Sequence, residues 1–186
     1  CEPLGMTDTG FSVPDATVDR LATAYAVKDA TGELVVDDFS HGTFRGEITF
    51  EAGGGGLVST ADDFLAFAMA LRNGGSHHGV QVLSPGAVAA MTTDQLPADV
   101  KAVSGFWPGY FDEMGWGLCV SVRTRPAEGG PSVGTYGWPG YFGTAWYTDP
   151  AADLTTIVMM QHSHGGDQRL PMWQDIWSAV YEAAAG

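Results

Sequence analysis

An α+β fold, with antiparallel strands covered by a C-terminal helix, is predicted by three features of the sequence. After residue 115 the hydrophobic period changes to two: Trp116, Leu118, Val120 and Val122 alternate with small or polar residues, as a strand with one buried face requires. The chain then closes on Trp173, Ile176, Trp177, Val180 and Tyr181, spaced i, i+3, i+4, i+7 and i+8, a wide apolar helical stripe that needs a surface to bury against. The 26 glycines and 10 prolines call for many turns and short strands. The sheet that precedes the helix is its natural cover, which makes the C-terminal third an α+β layer.

In chain order, 21–27 and 33–37 flank Asp29-Ala30-Thr31-Gly32 and read as a hairpin with glycine at the turn. The helix over 60–73 has Ser59 or Thr60 as its cap, acidic residues at 62 and 63, and Phe64, Phe67, Ala68 and Leu71 at helical spacing; Gly74 ends it. Ser84-Pro85 opens a short second helix carrying Val88 and Met91. Residues 97–114 hold Phe106, Trp107, Tyr110 and Phe111 among glycines and prolines and read as an aromatic loop that lines a pocket. Two further strands are expected around 141–149 and 154–161. The nearly unbroken apolar, β-branched run of Leu154 to Met160 marks the second as a central strand buried on both faces. Residues 1–114 therefore carry the hairpin, helices and aromatic loop, and 115–186 the sheet strands and the last helix. Cys119, inside the strand pattern, is expected to be a buried, inert thiol.

Composition excludes several functions. Eight basic against 22 acidic residues leave the 186-residue chain at −14, which argues against nucleic acid or an anionic membrane as partner. No run approaches the roughly 20 apolar residues of a membrane helix, and no signal-peptide pattern heads the sequence. His162-Ser163-His164, with Asp167 near, and His77-His78 complete no metal-ligand spacing, so neither metal nor cofactor is expected. Gly53 to Gly56 lack the Gly-Lys-Ser/Thr ending of a phosphate loop.

Nucleophile motifs can be searched completely. Gly130-Pro131-Ser132-Val133-Gly134 satisfies G-x-S-x-G, but that motif works only at a strand-to-helix turn, and extended chain follows here. A complete hydrolase working through Ser132, with His162 or His164, is the least favoured reading. The S-x-x-K arrangement sets a lysine amine one helical turn from a serine. It fails at both lysines, because Tyr25 precedes Lys28 by three residues and Ala98 precedes Lys101.

The order of segments nevertheless resembles a known superfamily. Pro3-Leu4-Gly5-Met6-Thr7-Asp8-Thr9 is similar to the "PLGM-T-T" turn of serine β-lactamases and penicillin-binding proteins. Gly54-Gly55-Gly56-Leu57-Val58-Ser59-Thr60-Ala61-Asp62-Asp63 is similar to their "GGL-ST-DD" helix start. Leu83-Ser84-Pro85 with Met91, Gly115-Trp116-Gly117-Leu118, and Tyr136 through Asp149-Pro150 continue the order. The branch it most resembles contains class C β-lactamases and family VIII carboxylesterases.

The resemblance implies the C-terminal part of a β-lactamase/transpeptidase-like fold, and acyl transfer from an ester, β-lactam or peptide donor through an acyl-enzyme. In that family the nucleophile and base come from S-x-x-K and Y-x-N motifs upstream of the "PLGM" turn, so this chain is expected to be inactive alone. Trp138-Pro139-Gly140 occupies the place of the third motif, Lys-Thr-Gly in lactamases and often Trp-Gly-Gly in esterases. Without a lysine there, the site leans towards neutral acyl donors. The resemblance makes the Tyr141 backbone N–H one half of an oxyanion hole. Trp138, Pro139, Gly140, Trp107 and Tyr110 are the expected substrate wall. It also implies that the strand at 154–161 loses neighbours, so that a homodimer or domain swap through the exposed sheet edge is expected. The alternative is a non-catalytic peptide- or glycan-binding module built on the same fold.

Overall fold

The helix expected over 60–73 spans Ala61–Arg72 (α1) in the computed structural model, which describes residues 1–28, 31–37, 42–46, 48–163 and 169–185. Thr60 caps it by accepting the Asp63 N–H at 3.2 Å, and Asp62 and Asp63 set negative charge against the positive end of the helix dipole. Beyond Asn73 the chain reverses through Gly74 (φ 68°) and Gly75 (φ 94°), and the Gly75 N–H closes on the Ala70 carbonyl at 2.7 Å. Helix α2, Pro85–Met91, starts in the same way, with Ser84 accepting the Ala87 N–H at 3.2 Å. The opening segment is tied to α1 by one carboxylate: Asp63 Oδ2 accepts the Asp8 N–H and the Thr9 hydroxyl, both at 2.8 Å.

Strands β1 (Tyr25–Lys28) and β2 (Glu33–Val36) form the expected antiparallel hairpin, and β10 (His162–Ser163) adds to β1 in parallel. The hairpin's residues 29 and 30 lie outside the described residues, as do His164 and Asp167. A two-residue pair, β3 (Ser76–His77) and β4 (Val80–Gln81), follows α1. Short helices α3 (Ala98–Val103) and α4 (Tyr110–Glu113) lie within the segment read as an aromatic loop, so that reading holds only for residues 104–109.

The main sheet is antiparallel with strand order β5 (Met114–Trp116), β6 (Ser121–Arg123), β7 (Tyr136–Pro139), β8 (Ala145–Asp149) and β9 (Leu154–Val158). Successive side chains alternate between its faces. One face meets α1: Val122, Tyr136 and Trp146 pack with Ala68, Leu71 and Val88 as the buried core, with Phe64, Phe67 and Ile157 around it. Trp146 is its centre, taking Phe64, Phe67 and Tyr136 edge-on at 5.6, 5.9 and 5.6 Å. The other face carries Tyr147, whose ring meets Trp177 of the last helix, α5 (Arg169–Ala185), at 4.9 Å. No described helix is long and apolar enough to cross a membrane.

Three expectations are corrected. The alternation over 116–122 is not one strand but the β5–β6 hairpin, whose turn at Leu118-Cys119 keeps the period of two while reversing the chain. Gly117 lets that turn lie on the end of α2, where a Cβ would come 1.8 Å from the Met91 carbonyl oxygen. Cys119 is therefore exposed, at a positive φ of 65°, and not buried. Finally, among the described residues β9 has a neighbouring strand on one side only, β8, where the sequence pattern called for two. Its faces are partly covered, by α1 on one side and across an open groove by α5 on the other, and all five of its residues are half-buried.

The end of β8 joins three parts of the fold. The Asp149 carboxylate is 2% exposed and accepts four hydrogen bonds. These come from the Ser132 N–H at 2.9 Å, the Tyr181 hydroxyl of α5 at 2.7 Å, and the Ala151 and Ala152 N–H groups at 3.0 and 3.1 Å. Burial alone pushes its pKa up, but the donors from Ser132, Tyr181 and Ala152 outweigh burial and hold it down at about 2. With an ordinary value of 3.8 in the unfolded chain, ionised Asp149 contributes about 2 kcal/mol of stability. That contribution is complete above about pH 4 and is lost as the pH falls through the folded value. Urea unfolding of the wild type and of Asp149→Asn should differ by about 2–3 kcal/mol at neutral pH, and the gap should close as acid is added. A gap that stays constant into the acid range would show that the ionised carboxylate is not what holds the joint.

Candidate active-site wall

Strand β7 changes neighbours along its length. Tyr136 and Gly137 pair with β6 on one side and β8 on the other, whereas Trp138 and Pro139 pair only with β8, opposite Trp146 and Ala145. The β6-side edge at Trp138–Pro139 is thus released from the sheet. Pro139 sits where a missing N–H costs least, in the last residue of the strand. A tight turn follows: the Gly140 N–H donates to the Thr144 carbonyl at 2.6 Å, and a Cβ at Gly140 would meet Thr144 Oγ1 at 2.3 Å. Tyr141 lies in this turn, 65% exposed, with its ring edge-on to Phe142 at 5.1 Å. The turn is braced from below by the His162 N–H, which donates to the Phe142 carbonyl at 2.9 Å.

The rings gather beside the released strand end. Trp138 contacts Trp116 at 4.6 Å and Phe106 at 4.7 Å; Phe106 reaches Trp116 at 5.3 Å and Tyr110 at 5.1 Å; Trp107 lies on Tyr110 at 4.8 Å. Each such pair is worth about 0.5–1.5 kcal/mol beyond its buried area, so the cluster holds itself together. The members divide by exposure. Phe106 and Trp107 are each more than half exposed, Trp138 and Trp116 are half-buried, and Tyr110 is the buried floor. Of the residues expected to form the wall, Trp107, Trp138, Pro139 and Gly140 lie at the surface of this region, while Tyr110 supports it from beneath. Trp116 and Phe106 complete the cluster. Trp116 carried a strand signal and a share in the family resemblance, but nothing in the sequence joined it to this cluster, because its partners come from distant positions.

A second carboxylate positions the cluster. Asp94 Oδ1 accepts the N–H groups of Trp116 and Leu96 at 3.1 and 3.2 Å, and Oδ2 pairs with the Lys101 ammonium. Burial opposes its ionisation, but Lys101 and the two N–H groups prevail and lower its pKa. Gly115 is required beside it, since a Cβ there would fall 2.3 Å from Asp94 Cγ. Lys101, one of the chain's two lysines, is thereby committed to an ion pair.

No general base emerges from the shifted tyrosines. Burial pushes the Tyr110 hydroxyl up to about 12, against a weaker pull from Ser121, and it also raises Tyr136, Tyr147 and Tyr181. All four are neutral at working pH. Ser132 is not on a nucleophile elbow, because its N–H is bound by Asp149 and the chain runs on into β7, not into a helix. Among the described residues no group of three or more His, Cys, Asp or Glu side chains is placed to hold a metal.

Comparison with known proteins agrees with this architecture. The family model described as Beta-lactamase matches residues 1–181. An uncharacterized protein of Mycobacterium tuberculosis is 39% identical over 165 residues, which are 86% of this chain and 41% of that protein. Esterase EstB of Burkholderia gladioli is 28% identical over 181 residues, 89% of this chain and 43% of its own. Among solved structures, a mutant of simvastatin synthase from Aspergillus terreus superposes with a TM-score of 0.81 at 22% identity, over 100% of this chain and 48% of that one. EstCE1, a hydrolase with promiscuous acyltransferase activity, gives 0.63 at 25% identity over 100% and 48%. The chain spans under half the length of each of these proteins, and its fold is the corresponding part of the β-lactamase/transpeptidase-like fold.

Gly137 sets the whole wall. A Cβ there would lie 1.9 Å from the Trp146 carbonyl oxygen and 2.7 Å from Tyr147 Cα, so a side chain would force β7 and β8 apart at the step before Trp138. Gly137→Ala should cost about 3 kcal/mol in denaturant unfolding and flatten the near-ultraviolet circular dichroism of the tryptophans. Gly54→Ala, into open space, should change stability by less than about 0.5 kcal/mol. Equal stability of the two variants would show that this close approach does not exist in solution.

Proposed function

The chain belongs to the β-lactamase family, and from that premise we propose that it supplies one wall of a serine hydrolase site that transfers acyl groups from neutral donors, above all esters. The observation that carries this reading is the released end of β7 facing a cluster of aromatic rings with no cation in it. The Tyr141 N–H, just beyond that end, is the donor assigned to the oxyanion of the tetrahedral intermediate. Trp138, Pro139 and Gly140, with Phe106 and Trp107, form the surface against which the acyl donor lies. A lysine or histidine in place of Trp138 would hold an anionic substrate group; an indole holds an apolar one. The names of two relatives, an esterase and a hydrolase with acyltransferase activity, support esters over lactams.

The nucleophile and its base belong, on this reading, to S-x-x-K and Y-x-N motifs on polypeptide outside these residues, and the chain alone does not turn over substrate. Here neither lysine follows a serine at the required spacing, and the tyrosines whose ionisation is shifted are held neutral. Intact mass of the folded chain after exposure to a fluorophosphonate, and separately to a β-lactam, should show no adduct. A polypeptide that also carries an S-x-x-K motif ahead of this sequence should take up one equivalent of fluorophosphonate. A stoichiometric adduct on the chain alone, mapped to Ser132, would overturn the proposal.

A further inference from the structure

One row of residues runs straight across the main sheet. The registers set Trp116 of β5 opposite Ser121 of β6, Ser121 opposite Gly137 of β7, and Gly137 opposite Tyr147 of β8. Opposed residues share a face, and glycine brings no side chain to it, so Ser121 and Tyr147 flank the bare backbone of Gly137. Ser121 is 1% exposed, and its hydroxyl donates to the Gly137 carbonyl at 2.7 Å. The same pair is the last rung between β6 and β7. The Arg123 N–H bonds the Thr135 carbonyl at 2.8 Å, and the alternation of antiparallel rungs makes Ser121–Gly137 the next hydrogen-bonded pair. The hydroxyl thus adds a second donor to a carbonyl that the ladder already engages, at the point where β7 leaves β6.

We propose, resting on the assignment of the Tyr141 N–H to the oxyanion, that Ser121 is a positioning residue for acyl transfer: its hydroxyl clamps the Gly137 carbonyl and so fixes the line along which Trp138 and the Tyr141 N–H leave the sheet. Beyond Gly137 no residue of β7 pairs with β6, and Pro139 has no N–H to offer on that side. The last peptide anchored there is the one whose oxygen Ser121 holds. That carbonyl and the Trp138 N–H lie in one rigid plane, so a carbonyl free to tilt would carry Trp138 and the turn after it along. Oxyanion stabilisation is sensitive to such movement, since a misplacement of about 1 Å can cost about 100-fold in rate.

The surroundings of Ser121 suit this task. Its chain neighbours Val120 and Val122 are buried in the core, and a site as enclosed as 121 would take an apolar residue if filling space were all it did. A hydroxyl buried so completely is tolerable only with a partner, and the partner here is the backbone of the strand that carries the wall. Burial raises the phenols of Tyr110 and Tyr147, and on each the opposing pull comes from Ser121. The hydroxyl therefore stands between the buried floor of the aromatic wall and the α5 side of the sheet. The Tyr110 hydroxyl is buried with no hydrogen-bond partner among the described residues, so the Ser121 proton stays with the Gly137 carbonyl.

Turnover of a neutral ester is measured on a polypeptide that carries an S-x-x-K motif ahead of this sequence, and amide hydrogen exchange on the 186-residue chain. Ser121→Ala should lower kcat about tenfold with KM within about twofold, because the loss falls on the transition state. Ser121→Thr, which keeps the hydroxyl, should bring kcat back to within about threefold of the wild type. Val122→Ala, which loosens the core on the same strand, should lower stability more than Ser121→Ala does and leave kcat within about twofold. In the chain itself, Ser121→Ala should speed exchange at the Gly137 and Trp138 amides by about tenfold. Unchanged kcat in Ser121→Ala would overturn the proposal, as would an equal loss of kcat in Val122→Ala. So would a Ser121→Thr variant with wild-type circular dichroism and no recovery of kcat. A wild-type polypeptide that neither turns over ester nor takes up fluorophosphonate would overturn the acyl-transfer reading and the catalytic role with it, whereas unchanged exchange at Gly137 and Trp138 would overturn the hold on β7 alone.

Discussion

The fold depends on a charge kept where charges are ordinarily excluded. Asp149 ends β8 inside the protein, and its carboxylate is tolerable there only because four donors from three separate parts of the chain converge on it. One set of bonds therefore holds the 125–132 loop against the sheet, shapes the turn that starts β9, and fixes α5 through Tyr181. A neutral isostere would satisfy part of this geometry but would not draw the donors together with the same strength. Asp63 and Asp94 repeat the device on a smaller scale, one tying the first residues to α1 and the other tying β5 to the chain before α3. In a molecule with a large excess of carboxylates, these three are spent inside, as joints.

Between these joints the sheet is set by close approach. Gly137 allows β7 and β8 to pair without a side chain between them, and the residue after it, Trp138, then stands directly opposite Trp146. The two tryptophans have different surroundings. Trp146 is enclosed by Phe64, Phe67 and Tyr136, while Trp138 leans on Trp116 and Phe106. One rung of the ladder thus connects the hydrophobic core to the wall of the candidate site.

Much of this was legible in the residues, and what was not has identifiable causes. The caps at Thr60 and Ser84 and the stripe on α5 are local signals, and each element lies where they place it. The β5–β6 turn was invisible because Leu118-Cys119 carries none of the Asn, Asp or Gly chemistry of two-residue hairpins, and Cys119 adopts a left-handed backbone conformation uncommon for its type. The strand neighbours of β9 were not legible because hydrophobic content reports cover of a strand's faces and not which strands pair with its edges. At the site, Trp138-Pro139-Gly140 could be found by resemblance. The burial of Tyr110 and the parts played by Trp116 and Asp94 are tertiary facts, since their partners lie far off in sequence or across the sheet.

The distribution of polar and aromatic groups around β7 also bears on what kind of chemistry this wall can serve. Hydrolysis through an acyl-enzyme needs a donor aimed at a developing oxyanion and a surface that orients the acyl group. The released end of β7 is suited to the first task, because backbone groups beyond Gly137 no longer pair with β6. The rings are suited to the second, because their positions are fixed by one another and by the buried floor at Tyr110. Nothing in the cluster carries positive charge, and Lys101, the cation nearest in sequence, is held by Asp94. A substrate carboxylate placed there would lose its hydration without gaining a partner, whereas an ester's acyl chain would lose only water. The selectivity proposed for the site follows from the same rings that hold its wall in place.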